Sequence, residues 1–196
     1  MIKKKRVYKI YLFRHGETYY NEKGIFTGWK DSKLSPGGIR QAKIIAKKLK
    51  NKKIDVAFYT RLSRSKDTLK EILKYHPECK LKIKDDRMIE RSYGKLEGMG
   101  HKAFIEKYGE DKYNLFHRSY KISPTKGESI KTVEKRVKSF IKYLIKFIRK
   151  NKVNVAISAH GNSMRPFRKY FEKLSIKEMI KLENPWDDYF EYKVRA

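Results

Sequence analysis

The chain has 196 residues, enough for one sizeable hydrophobic core, and nothing in it suggests two domains. Lys and Arg outnumber Asp and Glu 50 to 22, a formal net charge of +28, but apart from short runs at 3–6 and 50–53 the basic residues are spread along the whole length. No zinc-finger spacing, RNP-type aromatic motif or basic tail accompanies them, so a specific nucleic-acid site is not expected, only loose, salt-sensitive adhesion to polyanions.

The stretch "VYKIYLF" (7–13) reads as a buried strand running into Arg14, His15, Gly16 and Glu17. Ser35-Pro36 opens a helix, serine as N-cap and proline at the first helical position. Ile39, Ala42, Ile45, Ala46 and Leu49 follow at helical spacing. "IDVAFYT" (54–60) is a second strand and 62–76 a second helix, while "LKIK" (81–84) is a short third strand. Residues 85–100 form a long glycine-containing loop, and a helix passes through Phe104 and Tyr108. The longest helix is expected over 128–150, burying Ile130, Val133, Val137, Ile141, Leu144 and Ile148. "VNVAISA" (153–159) is a fourth strand entering "HGNSMRPF". Two short helical segments then lead to an edge strand at 188–194.

Strands alternating with helices predict one α/β domain over 1–196 with a mostly parallel sheet. Cys79 is the only cysteine, which fits a reducing compartment. "KKKR" precedes apolar residues as in a secretory signal, but Lys9 interrupts the run and Arg14 ends it. No apolar run approaches the ~20 residues of a membrane span, so a cytoplasmic protein without membrane association is expected.

Ligands of parallel sheets bind outside the carboxyl ends of the strands. Here the first strand ends in "RHGE", the fourth in "SAHGNSMR", and the second supplies Arg64 as its helix begins. Arg14, His15, Arg64 and His160 are therefore expected to converge. A lone histidine at a strand end is more often a satisfied turn residue, but two His-Gly pairs with arginines favour a site. Arginines oppose a divalent cation, and two histidines are too few ligands for one. The isolated His76 and Cys79 pair is not expected to bind metal either. Guanidinium groups match phosphate oxygens, and a neutral imidazole among them can attack phosphorus. Glu90, beside Arg91 and near Tyr93, can deliver the proton that a leaving alkoxide needs.

Taken in order, "LFRHGETYYN", "FTGWKDSKLSPGG", "LSRSKDT", "ERSYGKLEG", "EKYG" and "HGNSMR" resemble the motifs of the histidine phosphatase superfamily, the phosphoglycerate mutase-like clan, over nearly the whole chain. The resemblance implies a three-layer fold with a mostly parallel central sheet flanked by helices. It implies His15 as the nucleophile that becomes phosphohistidine, Arg14, Arg64 and His160 as holders of the phosphoryl group, and Glu90 as acid/base. Asn21, Thr27, Gly28, Arg91, Tyr93, Gly161 and Asn162 would line the substrate side, and no metal would be required.

Two activities of the clan fit. One interconverts 3-phosphoglycerate and 2-phosphoglycerate after priming by 2,3-bisphosphoglycerate, and is expected here; the alternative is hydrolysis of small phosphate monoesters. A catalytically silent polyanion binder is the third reading, disfavoured by the complete catalytic set. The chain departs from the mutase pattern in showing His101, then Lys102, at the place of a substrate lysine. It shows His117 and Arg118 at the place of two arginines. Lys102 and Arg118 are thus the expected grips for the second anion, helped by protonated His101 or His117 as pH falls from 8 toward 6.5.

Overall fold

The computed structural model of the protein describes residues 6–196; the basic residues at 3–5 lie outside them. Five strands form one sheet: β1 (Val7–Arg14), β2 (Val56–Tyr59), β3 (Leu81–Lys84), β4 (Val155–Ala159) and β5 (Tyr189–Arg195). Their order is β3-β2-β4-β1-β5. All neighbours are parallel except β1 and β5, so β5 is the antiparallel edge strand. Burial in β1 begins at Ile10, because Val7 to Lys9 lie toward the rim of the sheet.

Period-two alternation assigns the side chains of β1 to two cores. Ile10 and Leu12 pack with residues of α6 (Ile130–Asn151) and α7 (Gly161–Glu172), whereas Tyr11 and Phe13 pack with α2 (Pro36–Leu49) and α3 (Ser63–Leu73). The result is three layers, helix pair, sheet, helix pair. Every residue expected on the inner face of α6 is buried. That helix starts at Ile130, two residues later than expected, because the Ser129 side chain accepts the Thr132 N–H and caps it. In α2 the Ser35 cap and Pro36 at the first position stand as read. Ile39, however, is 40% exposed. Gly38 takes the inner place in the first turn instead, where a Cβ would lie 1.9 Å from the Glu17 carbonyl oxygen.

Four further helices surround the carboxyl edge or tail: α1 (Tyr19–Glu22), α4 (His101–Tyr108), α5 (Glu110–Arg118) and α8 (Ile176–Lys181). Gly109, at φ +83°, separates α4 from α5. The 85–100 loop holds two short 3-10 turns, Asp86–Met88 and Gly94–Leu96. No helix among the described residues is long and apolar enough to cross a membrane.

Candidate active site

Because β1 and β4 are parallel neighbours with Arg14 opposite Ala159, the residues that follow them leave the sheet side by side. The His15 N–H donates to the Ala159 carbonyl at 3.0 Å, and the His15 and His160 rings stand 5.0 Å apart. Gly16 permits the turn: a Cβ there would meet the Gly38 carbonyl oxygen at 2.2 Å.

The His15 ring is 2% exposed, and its Nδ1 lies 2.7 Å from the Gly16 carbonyl, an acceptor only. Nδ1 therefore carries the proton and Nε2 keeps its lone pair. Burial, then the charges of Arg64 and Arg14, hold the ring's pKa well below the usual histidine range. His15 is neutral at physiological pH, the state a nucleophile needs. His160 is fully buried, with Nε2 2.8 Å from the Thr60 hydroxyl and Nδ1 without a partner. Burial and Arg64 depress its pKa in the same way.

The arginines are held from behind. Arg64 donates to the carbonyls of Lys30 and Gly28 at 2.9 and 2.7 Å. Gly28, at φ +53°, is in the left-handed region, and a Cβ on it would meet the Glu97 carboxylate. The same segment is pinned at three more points. Trp29 Nε1 donates to the Glu90 carbonyl at 2.8 Å, Glu97 accepts the Trp29 N–H, and Asp31 accepts from the Ser63 N–H and hydroxyl. Asp31 thus caps α3 from a distant loop, which fixes Arg64 in its first turn. Arg14 lies 4.3 Å from the centre of the Trp186 ring and donates to the Asn184 carbonyl, while its Nε is buried without a partner. Burial lowers its pKa only to about 10, so it stays charged.

Glu90 is buried, and its Oε1 accepts the backbone N–H of Arg91 at 2.7 Å and of Asn162 at 3.1 Å. The second oxygen remains for a ligand. Behind the loop, Arg136 of α6 donates to the carbonyls of Arg87 and Glu90 and pairs with Glu128, which accepts the Ser92 N–H.

These groups open onto a cavity of about 290 Å³. Of the expected residues, Arg14, His15, Asn21, Thr27, Gly28, Arg64, Glu90, Tyr93, Arg118, Gly161 and Asn162 line it. His160, expected there too, is not in the lining but fully buried, its ring 5.0 Å from that of His15. Two expectations need correction. Arg91 is fully buried outside the lining, donating to the carbonyls of Glu128 and Ile122, so it braces the loop instead of facing a substrate. Lys102 is exposed on α4 and does not reach the cavity; the helix turns His101 inward in its place. A third correction concerns charge. His117 is wedged against Tyr113, ring centres 5.1 Å apart, and burial with Arg118 close by pushes its pKa down to about 3. Burial lowers His101 too. His117 is neutral between pH 8 and 6.5 and supplies no positive charge, and burial disfavours the charged form of His101.

The sequence reading missed Arg165, Asn184 and Trp186, which also line the cavity. Arg165 had a signal: it stands three residues after Asn162 in α7, on the same helix face, and donates to Asn162 Oδ1 at 3.1 Å. Asn184 and Trp186, in the tail after α8, had none.

One atom each of His15, Glu90 and His160 fall within 4.8 Å of one another, so the donors number three, one more than the two histidines read from sequence. The arginines that, after burial, help keep both rings neutral also oppose a cation there. They favour an anion, as does the N-terminus of the 12-residue α7 beginning at Gly161.

An α/β sheet presenting two neutral histidines, two braced arginines and a carboxylate at its carboxyl edge suits an oxyanion of the phosphoryl kind. The model of the histidine phosphatase superfamily (branch 1) matches residues 10–188, and the chain belongs to that family. A 2,3-bisphosphoglycerate-dependent phosphoglycerate mutase of Methanococcus vannielii is 37% identical over 199 residues, covering 88% of this chain and 84% of that protein. A phosphoglycerate mutase of Schizosaccharomyces pombe is 38% identical, covering 88% and 83%. Among solved structures, the fold is similar to a mycobacterial glucosyl-3-phosphoglycerate phosphatase (TM-score 0.81, 20% identity, 96% and 91% covered). It is equally similar to the alpha-ribazole phosphatase of Shigella flexneri (TM-score 0.82, 20% identity, 96% and 94% covered).

Proposed function

We propose that this protein transfers phosphoryl groups through His15 and interconverts 3-phosphoglycerate and 2-phosphoglycerate. The observation that carries the chemistry is the His15 ring, fixed by Gly16 with Nε2 unprotonated between two arginines. The naming of the relatives, 35–38% identical over most of the chain, supports the substrate.

Arg14 and Arg64 neutralise the phosphoryl oxygens and align phosphorus with Nε2. As the N–P bond forms, the P–O bond to the substrate oxygen breaks and Glu90 gives that oxygen a proton. The unpartnered Nδ1 of His160 and Nε of Arg14 are then free to bind oxygens of the transferred group. In the return half, Glu90 takes the proton of the accepting hydroxyl, a P–O bond forms, and the bond to His15 breaks. A 2,3-bisphosphoglycerate primer, when bound, supplies the phosphoryl group that loads His15. The residues fit its anionic groups: Arg14 and Arg64 beside His15 for the transferred phosphate, and Arg118 and Arg165 elsewhere in the cavity wall for the other phosphate and the carboxylate.

The second reading, a phosphatase acting on small monoesters, is favoured by one observation. Neutral His117, and His101 with its pKa lowered by burial, stand where the mutase pattern has permanent charges, weakening retention of the bisphosphorylated intermediate. The test is incubation with 3-phosphoglycerate, with and without 2,3-bisphosphoglycerate, following 2-phosphoglycerate and free phosphate. Primer-dependent 2-phosphoglycerate with a smaller release of phosphate is expected. Phosphate released from many esters, with no 2-phosphoglycerate under either condition, would establish the phosphatase.

A further inference from the structure

With His117 neutral, burial disfavouring charge on His101 and Lys102 turned away, Arg118 and Arg165 are the remaining arginines among the described residues that line the cavity beyond Arg14 and Arg64. Both already face an anion of the chain's own. Arg118 Nη1 and Nη2 each lie 3.3 Å from Glu183 Oε1, and Arg165 Nη2 lies 3.9 Å from the same oxygen.

The backbone around Glu183 is clamped while its side chain is not. Arg165 Nε donates to the Leu182 carbonyl at 3.0 Å, Arg168 to the Glu183 carbonyl at 2.8 Å, and Arg14 to the Asn184 carbonyl at 3.2 Å. The Glu183 side chain is 74% exposed, with one oxygen in long contacts, whereas Arg165 is mostly buried and further fixed by Asn162. An exposed pair of this kind is weak and opens by side-chain rotation alone. The two arginines repel each other, and Arg118 is among the causes that lower the Arg165 pKa, so the pair gains from any anion between them.

We propose that Glu183 is a displaceable placeholder for the second anion of the substrate, seated on Arg118 and Arg165 until a carboxylate or second phosphate takes its place. This rests on the two-anion substrate proposed above. A ligand with a second anion must turn Glu183 out into solvent. A simple phosphate ester leaves it seated. Glu183 is thus a specificity-determining residue that sets affinity by the charge at the far end of the ligand, and it keeps the arginines aligned in the empty cavity.

Calorimetric titration in the His15→Ala background, which removes turnover, tests this. Two probes are compared, 3-phosphoglycerate and ethyl phosphate, which lacks the second anion. Glu183→Gln keeps the shape and removes the competing charge. It is expected to tighten 3-phosphoglycerate about fivefold or more relative to ethyl phosphate, the scale of one like-charge contact near a protein surface. Adding Arg118→Ala should abolish that selective gain. Equal effects on both probes, no effect, or weaker 3-phosphoglycerate binding would each overturn the proposal. Isomerisation of 3-phosphoglycerate by the unaltered protein is measured separately. Its absence would contradict the proposed function while a charge-selective gain upheld the role of Glu183.

Discussion

His15, His160 and His117 owe their depressed pKa values to one cause, burial beside guanidinium groups, and this fixes how the protein responds to pH. The sign follows from proton counts. Between about pH 6.5 and 3 the unfolded chain protonates position 117 while the folded chain does not, so stability is lost as pH falls through 6.5. For His117 alone the loss between pH 7 and 5 is about 2 kcal/mol, readable by urea titration, and His117→Phe should reduce the total loss by about that amount, leaving the share of His15 and His160. Because His117 stays neutral between pH 8 and 6.5, the ratio of isomerisation to hydrolysis should not rise over that range; a rise would mean that His117 is charged in the folded protein. His117→Arg, restoring a permanent charge, should raise the ratio. Glu90→Gln keeps the acceptor for the Arg91 and Asn162 N–H groups but cannot exchange protons, so turnover should drop by roughly 10²–10⁴ with folding intact. At this scale the sequence was most legible where the backbone itself delivers the side chain. Arg14, His15 and His160 follow directly from two strand ends, and Arg64 from a helix start. Arg91 and Lys102 were misplaced because their direction depends on how a loop and a short helix turn, which adjacency in sequence does not fix.

Among the elements, α6 does more than fill the core. Its inner face packs the sheet, and Leu144→Ala there should cost about 2–5 kcal/mol in a denaturant titration. Its Arg136 reaches the carbonyl of Glu90, so the helix also sets the loop that carries the acid. Arg136→Met removes the donors to Arg87, Glu90 and Glu128 while keeping most of the side-chain volume. It should lower kcat about tenfold or more with a smaller change in KM, because ligand-binding arginines are untouched. A KM effect alone would mean that the loop is held without it. Apolar periodicity made α6 and the strands readable. The α5 helix went unread although its termini carry signals: Gly109 before it, Glu110 and Asp111 in its first turn, His117 and Arg118 in its last. It has no fully buried residue: its apolar side chains Tyr113 and Phe116 are only partly buried against Phe26 and Phe104, so its stripe is weaker than those of the long helices. The cap of α3 was invisible for a different reason. Its acceptor, Asp31, comes from 32 residues earlier in the chain.

For the whole molecule, a net charge of +28 places an anion-binding cavity inside a positive field. Association with phosphorylated substrates should be steered, so kcat/KM should fall several-fold between about 50 and 500 mM salt while kcat changes little. The layered order of helices and strands was legible from the alternation of patterns, and so was an edge strand at the end, though not its antiparallel direction. The position of β4 between β2 and β1 was not, since no pairwise signal in one sequence selects a strand's neighbours; yet that placement is what sets His160 beside His15. The three-donor cluster of His15, Glu90 and His160 makes metal dependence a direct experiment: activity should survive exhaustive EDTA treatment, and loss with rescue by one particular metal would assign those donors to an ion. All of this turns on whether phosphoryl groups pass through His15. Mixing the protein with 2,3-bisphosphoglycerate, quenching in base and mapping phosphorylated peptides by mass spectrometry measures it directly. An acid-labile, base-stable phosphoryl group on His15, absent from His15→Ala together with turnover, is the expected result. A phosphoryl group on another residue, or near-native turnover by His15→Ala, would contradict it.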